Sequence, residues 1–173
     1  MRKRRTIDNW AIEEFGKYGF VQKYSMIYKD KDNKPIILLD YSFATGASLY
    51  GVYENLKKIQ TLHRCVLFEG EKSVLKAISM YGEYPCACTY GCNVSIEQIR
   101  LLQELNVHNV VLAYDCDKSE EHLQNQKNKI ERYGISCDYI YTDREKYLDE
   151  KDAPIDKGKD VWETLYRKRI KNG

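Results

Sequence analysis

Four short apolar runs, separated by amphipathic segments of helical length, dominate the sequence from residue 64 onward. The apolar runs are CVLFE, PCACTY, NVVLAYD and SCDYIYT. The segments between them are KSVLKAISMYG, SIEQIRLLQEL and SEEHLQNQKNKIERYG, and Ser95 stands where the second of these helices needs an N-cap. Strands that alternate with helices of this length predict an α/β fold with a mostly parallel sheet flanked by helices.

The first third of the chain has a different pattern. Residues 7–20 have helical apolar spacing, and SMIYKDKDNKPIILLDYS predicts two strands around a charged turn. A further short helix is predicted within ASLYGVYENLKKI. We therefore expect a small basic α+β lobe over residues 1–60, an α/β core over 61–150, and an acidic loop with a basic helix over 151–173.

Composition restricts the class of protein. Apolar residues make up 43% of the chain and charged residues 31%, as in a globular protein. No apolar run reaches the roughly 20 residues of a membrane-spanning helix, and no apolar stretch follows the basic first residues, so we expect a cytoplasmic protein without a membrane partner. The C-x-C-x3-C cluster at 86–92 lacks a nearby histidine or C-x2-C pair that would complete a zinc site.

The charges are unevenly distributed although their sum is only +2. Arginines and lysines occupy positions 2–5 and recur at 167–171, whereas acidic residues concentrate around 138–152. Basic ends of this kind predict contact with the phosphates of a nucleic acid, with Arg4 and Arg5 as candidate residues. The alternative is a solvated, solubilising surface.

Acidic residues end two of the predicted core strands. Glu69 closes the first strand and Asp115 the third, with Asp117 two residues further on. Ligands of open parallel sheets bind at the carboxyl ends of the strands, and an extended backbone would point Asp115 and Asp117 to the same side. Crowded carboxylates favour a hard divalent cation, Mg²⁺ or Mn²⁺. The alternative is that Glu69 and Asp117 cap the helices that follow them.

The segments VLFEGEKSVLKAISMYG, YGCNVSIEQIRLL and NVVLAYDCDKS resemble the Toprim domain over about residues 60–145. That domain is shared by bacterial DnaG-type primases, topoisomerases and several nucleases. Its hallmarks are a glutamate-glycine pair after the first strand and an aspartate-x-aspartate after the third, matched here by Glu69, Gly70, Asp115 and Asp117. The resemblance implies a Toprim fold and metal-dependent phosphoryl transfer.

Segments outside the core resemble DnaG-type primases, most of all the primase-like proteins of phages and mobile elements. LYGVYENLKKI precedes the core, and LDEKDAPIDKGKDVWETLYRKRI follows it. The resemblance implies a DNA primase that makes RNA primers on single-stranded DNA from ribonucleoside triphosphates, with a replicative helicase as a possible partner. It implies two Mg²⁺ or Mn²⁺ ions, with Asp115 and Asp117 as ligands and Glu69 as ligand or base.

Further site residues follow from the same resemblance. Asp152 and Asp156 are candidate additional metal ligands, and Lys72, Lys118 and Lys157 are candidate contacts for the triphosphate or the template. Each lysine could equally be a solvated residue at the start of a helix, and the same holds for Lys159.

The sequence also departs from the primase pattern. Ser73 stands where primases commonly carry an aspartate, and neither a zinc ribbon nor the template-binding motifs of the larger N-terminal lobe are recognisable. Two alternatives therefore stay open: a Toprim metal-dependent nuclease, and a non-catalytic nucleic-acid-binding accessory protein.

Overall fold

The computed structural model describes residues 25–29, 35–39 and 45–171. The chain divides into two compact units, Met1–Ala44 and Thr45–Gly173. Residues 45–60, which we assigned to the N-terminal lobe, belong to the second unit. Arg4, Arg5 and the helix predicted over residues 7–20 lie outside the described residues.

The first unit contains an antiparallel strand pair. Strand β1 (Ser25–Lys29) pairs with β2 (Pro35–Leu39), and Ile27 lies opposite Ile37. This confirms the two strands predicted from the sequence. The charged turn predicted between them lies outside the described residues.

The second unit is built on a four-stranded parallel sheet. Its strands are β3 (Arg64–Phe68), β4 (Cys86–Cys88), β5 (Asn109–Leu112) and β6 (Ser136–Tyr139), in the spatial order β4-β3-β5-β6. All three neighbouring pairs are parallel. The α/β class and the parallel sheet predicted from the strand–helix alternation are confirmed.

Helices connect and cover these strands. They are α1 (Leu56–Leu62), α2 (Glu71–Tyr81), α3 (Ile96–Glu104), α4 (Glu120–Glu131) and α5 (Lys159–Arg167), with short 3₁₀ helices at Thr45–Ala47 and Arg144–Lys146. Ser95 caps α3 as predicted: its hydroxyl accepts from the Gln98 backbone N–H, and the Gln98 side chain accepts from the Ser95 N–H. This reciprocal capping box fixes where α3 begins.

The core lies on both faces of the sheet. Cys65 and Leu67 of β3 pack into one cluster with Val110 and Leu112, while Val66 and Phe68 pack into the other with Trp162 of α5. Burial on both faces explains why the strands read as nearly continuous apolar runs rather than as alternating ones. None of the helices within the described residues is long and apolar enough to cross a membrane.

The clustered cysteines belong to this core. Cys86 and Cys88 are buried in β4, and none of the six cysteines, all of which lie in the described part of the chain, forms a disulfide. Burial and the neighbouring Cys88 raise the pKa of the Cys86 thiol to about 12, so this thiol is protonated at neutral pH. Zinc coordination requires a thiolate, so the packing of β4 favours a structural role for this pair.

Gly51 shows how closely the segment before α1 approaches the sheet. It has a φ of +80°, and a Cβ at this position would lie 2.6 Å from Cγ1 of Val74 on α2. Beside it, the Asn55 side chain donates to the Cys86 carbonyl at 2.9 Å. A side chain at position 51 would therefore meet both backbone strain and a steric clash.

We expect Gly51→Ala to lower the free energy of unfolding by about 3 kcal/mol, the sum of left-handed strain and overpacking. Gly134→Ala is the matched control, because Gly134 also has a φ of +80° but a Cβ there would contact nothing within 4 Å. Strain alone should cost the control about 1 kcal/mol. Urea unfolding followed by circular dichroism measures both. Equal losses in the two variants would show that the contact with Val74 is unimportant.

Candidate functional site

The carboxyl ends of β3 and β5 meet at one rim of the sheet. Leu67 of β3 is in register with Leu112 of β5, and Glu69 and Asp115 lie just beyond these positions. The Asp115 backbone N–H donates to Oε1 of Glu69 at 3.1 Å. The structure thus brings together the two residues that the sequence placed at equivalent ends of two strands.

Neither Glu69 nor Asp117 is a helix cap. Gly70 is the N-cap of α2 and forms no side-chain capping bond, and the Ser119 hydroxyl caps α4 by accepting from the His122 N–H. The alternative interpretation, in which these two acids serve the helix termini, is therefore wrong. Their carboxylates are directed to other partners.

The chain turns immediately after Asp115. Cys116 and Asp117 lie in a turn, closed by the Lys118 N–H donating to the Asp115 carbonyl at 3.2 Å. Our expectation that an extended backbone would align Asp115 with Asp117 is wrong, because the strand ends at Leu112 and the turn follows. The Cys116 N–H donates to the Asp152 carbonyl at 3.0 Å, so the turn is also fixed to the acidic segment further along the chain.

Asp115 is a half-buried carboxylate among like charges. Burial and then the negative charge of Glu69 raise its pKa from 3.8 to about 6, and the charges of Asp117 and Asp156 add to this. The positive charge of Lys118 opposes the rise. These acids therefore interact electrostatically, and a nearby cation stabilises the ionised form of Asp115.

Lys118 is the cation that the chain itself supplies. Its Nζ forms an ion pair with Oδ1 of Asp117 and lies 3.5 Å from Oε1 of Glu69. Burial lowers its pKa, but the hydrogen bond to Asp117 and the charge of Glu69 outweigh this effect and leave the pKa raised. We predicted that Lys118 contacts the triphosphate or the template, whereas in the structure it contacts two of the candidate metal ligands.

Arg144 holds the turn from Asp115 to Lys118 by hydrogen bonds to its backbone. The sequence analysis did not identify this residue. Its buried guanidinium donates to the Asp115 carbonyl at 3.4 Å and to the Lys118 carbonyl, and it lies over the Tyr141 ring at 4.5 Å. An arginine in a charged REK stretch gives no local signal of such a role. Only the packing of the 3₁₀ helix against the turn reveals it.

Asp152 and Asp156 are each paired with lysines. Oδ2 of Asp152 accepts from the Asp149 N–H at 2.9 Å and lies 2.8 Å from Nζ of Lys157. Asp156, whose side chain is only 8% exposed, lies 2.7 Å from Nζ of Lys76 and 3.4 Å from Nζ of Lys72. Lys76 is a second residue that the sequence analysis missed.

The lysines that we predicted to contact nucleotide or template have different partners in the structure. Lys72 is largely exposed at the start of α2 and touches Asp156, and Lys157 pairs with both Asp149 and Asp152. Lys159 lies 5.2 Å from the centroid of the Tyr81 ring. The ammonium groups of Lys72 and Lys157 therefore lie beside Asp156 and Asp152, two of the candidate metal ligands.

The carboxylates of Glu69, Asp115 and Asp117 are chemically suitable ligands for a hard divalent ion, but their side chains are not arranged around a metal position. Carboxylate oxygens from Glu69, Asp115 and Asp117 are the ligands that Mg²⁺ and Mn²⁺ prefer. Across residues 25–29, 35–39 and 45–171, however, no three acidic, histidine or cysteine side chains are arranged to hold a metal ion. Lys118 lies between Glu69 and Asp117, so these two carboxylates would have to exchange an ammonium for a metal.

A four-stranded parallel sheet flanked by helices, with acids at the carboxyl ends of its strands, defines a Toprim-like α/β fold. Several solved structures that are similar to this chain are catalytic cores of DnaG primases. The DnaG catalytic core matches with a TM-score of 0.60 and 19% identity over 87% of this chain and 54% of that chain. A DnaG primase catalytic domain bound to single-stranded DNA matches with a TM-score of 0.60 and 18% identity, over 87% and 52%.

The Aquifex aeolicus primase, in a structure of its zinc-binding and RNA polymerase domains, has a TM-score of 0.55 and 24% identity over 70% of this chain and 30% of that one. An uncharacterized SPbeta prophage-derived protein of Bacillus subtilis, YorJ, is 32% identical over 149 residues, which are 77% of this chain. The chain spans 39% of the length of that relative. No protein-family model matches the chain.

The raised pKa of Asp115 predicts a pH-dependent effect of Asp115→Asn. A raised carboxyl pKa means that ionisation opposes folding, so the wild type loses stability relative to the variant as pH rises from about 4 to 6. Above pH 6 in a metal chelator, we expect the variant to be about 1 kcal/mol more stable, a value reduced for solvent screening of a half-exposed group. The difference should vanish below pH 4.

Urea unfolding between pH 4 and 8 measures this difference. Glu83→Gln, at an exposed position in the turn before β4, is the matched control. Its stability difference from the wild type should not change between pH 4 and pH 8. A stability difference between Asp115→Asn and wild type that is the same at pH 4 and pH 7 would contradict the prediction.

Proposed function

We propose that this protein is a primase-type nucleotidyltransferase that joins ribonucleotides into short primers on single-stranded DNA. The observation that carries the proposal is the meeting of Glu69 and Asp115 at the carboxyl rim between β3 and β5 of a fold shared with DnaG catalytic cores. The chain spans 30% to 54% of the length of the primase chains named above. Primer synthesis, which is an activity of the whole primase, is therefore proposed for this chain.

In this proposal the carboxylates hold the metal. Asp115 and Asp117 are the ligands, Glu69 is a ligand or the base that takes the proton of the attacking 3′-hydroxyl, and Asp152 and Asp156 are outer candidates. Mg²⁺ held by these carboxylates would supply positive charge beside the attacking hydroxyl oxygen and the leaving pyrophosphate of an in-line displacement.

Arg144 contributes by holding the ligand-bearing turn. Its guanidinium contacts the carbonyls at both ends of the segment from Asp115 to Lys118, so the two aspartates are displayed from a fixed backbone. Preorganised ligands of this kind reduce the reorganisation that metal binding and catalysis require. Arg144 is therefore a positioning residue in the proposed site.

The proposed substrates are anionic, and lysines pair with the two outer candidate ligands, Asp152 and Asp156. Lys72 and Lys76 of α2 pair with Asp156, and Lys157 pairs with Asp152, and in each ion pair a substrate phosphate could replace the carboxylate. Single-stranded DNA is the proposed template, supported by the similarity to a DnaG domain bound to single-stranded DNA. Contacts to phosphates would make template binding fall as salt rises.

A primer-synthesis assay with labelled ribonucleoside triphosphates, mixed-sequence single-stranded DNA and Mg²⁺ tests the proposal. We expect the wild type to produce short oligoribonucleotides and Asp115→Asn to lose at least about 100-fold in rate, since a charged ligand at the reaction centre is removed without changing its shape. Gel electrophoresis of the labelled products measures both rates.

Asp160→Asn is the matched control, because Asp160 lies in the first turn of α5, outside the proposed site, and should keep wild-type activity. Shortening of the DNA or RNA without new product would instead establish a nuclease. DNA binding without any Mg²⁺-dependent product would establish a non-catalytic binding protein.

A further inference from the structure

We propose that Lys118 is a built-in counter-cation of the carboxylate rim, and that a divalent metal binds there by displacing its ammonium group. This inference rests on the proposed function, since it concerns the same rim. In this inference Lys118 does not bind the substrate. It competes with the metal for the carboxylates and so sets the metal affinity of the rim.

The contacts of the Lys118 side chain support this role. Its Nζ bridges Oδ1 of Asp117 and Oε1 of Glu69, two acids that lie 48 residues apart in the sequence (117 minus 69). The side chains of Lys118 and Glu69 are mostly shielded from solvent, with exposed fractions of 19% and 14%, whereas Asp117 is an exposed residue whose side chain is 30% exposed. The Lys118–Glu69 contact is therefore screened less by salt than a surface ion pair, and the Lys118–Asp117 contact lies at its solvent-facing side.

Hydrogen bonds hold the backbone of Lys118, whereas ion pairs with carboxylates hold its side chain. The Lys118 N–H bonds to the Asp115 carbonyl, and its own carbonyl accepts from Arg144. A lysine carries its charge on a flexible four-carbon stem, so the ammonium can leave while the turn stays in place. Metal can therefore replace the ammonium without unfolding the turn.

Removing the ammonium has opposite effects with and without metal. Without metal, Glu69, Asp115 and Asp117 would repel one another with no neighbouring cation between them, and the protein should be less stable. With metal, the competitor for the same oxygens is gone, and affinity should rise. A residue that merely stabilised the fold would give the first effect and not the second.

The test is Mn²⁺ binding by the full chain, measured by isothermal titration calorimetry, together with thermal unfolding in EDTA and in Mn²⁺. We expect Lys118→Met to bind Mn²⁺ about tenfold more tightly than the wild type and to unfold at a lower temperature in EDTA. Lys118→Arg, which keeps the positive charge, should retain wild-type affinity. Lys118→Gln serves as the neutral variant if Lys118→Met does not fold in EDTA.

Lys127→Met is the matched control, because Lys127 is also a shielded, paired lysine, with an 11% exposed side chain beside Glu131 on α4. Its Mn²⁺ affinity should stay within about twofold of wild type. Equal or weaker affinity in Lys118→Met would overturn the inference, while Mn²⁺ binding that is lost in Asp115→Asn would still support the proposed function. Absence of Mn²⁺ binding in both wild type and Lys118→Met would overturn the inference and the metal site together.

Discussion

The parallel pairing of β3 with β5 is the constraint on which the site depends. Four residue pairs fix its register, from Arg64 with Asn109 to Leu67 with Leu112, and the Ala113 N–H extends it by donating to the Leu67 carbonyl. A slip of one residue would shift Asp115 by about 3.3 Å along the strand and turn every β5 side chain to the opposite face. Because both faces of these strands are buried, the core itself enforces the register that places Glu69 beside Asp115.

The features that could be predicted from the sequence are those that depend on local pattern. Apolar runs of strand length, helical spacing between them and the Ser95 cap were sufficient to predict the sheet, its helices and the start of α3. The proximity of Glu69 and Asp115 could also be predicted, because residues after neighbouring parallel strands emerge at one edge regardless of side-chain detail. The metal ions and the substrates remain predictions, because both belong to molecules outside the chain.

The features that could not be predicted depend on partners distant in sequence. Arg144 meets the Asp115 carbonyl across 29 residues, and Lys76 meets Asp156 across 80, with no periodicity to signal either contact. The turn at Cys116 could not be predicted for a different reason. The apolar run continues through Tyr114 and so predicts a longer strand, although strand β5 ends at Leu112. A buried side chain just beyond a strand continues the core without continuing the sheet.

Two cations hold the Asp115–Lys118 turn, and their chemistry suits two different tasks. The Arg144 guanidinium is planar, stacks on Tyr141 and reaches two carbonyls at once, so it suits a fixed structural contact. The Lys118 ammonium is a compact charge on a flexible stem, and its partners are carboxylates rather than carbonyls. Carboxylates attract a divalent ion more strongly than neutral carbonyls do, so a competing metal acts on the lysine contacts first. A rim built this way can exchange its counter-ion while the backbone that displays the acids stays in place.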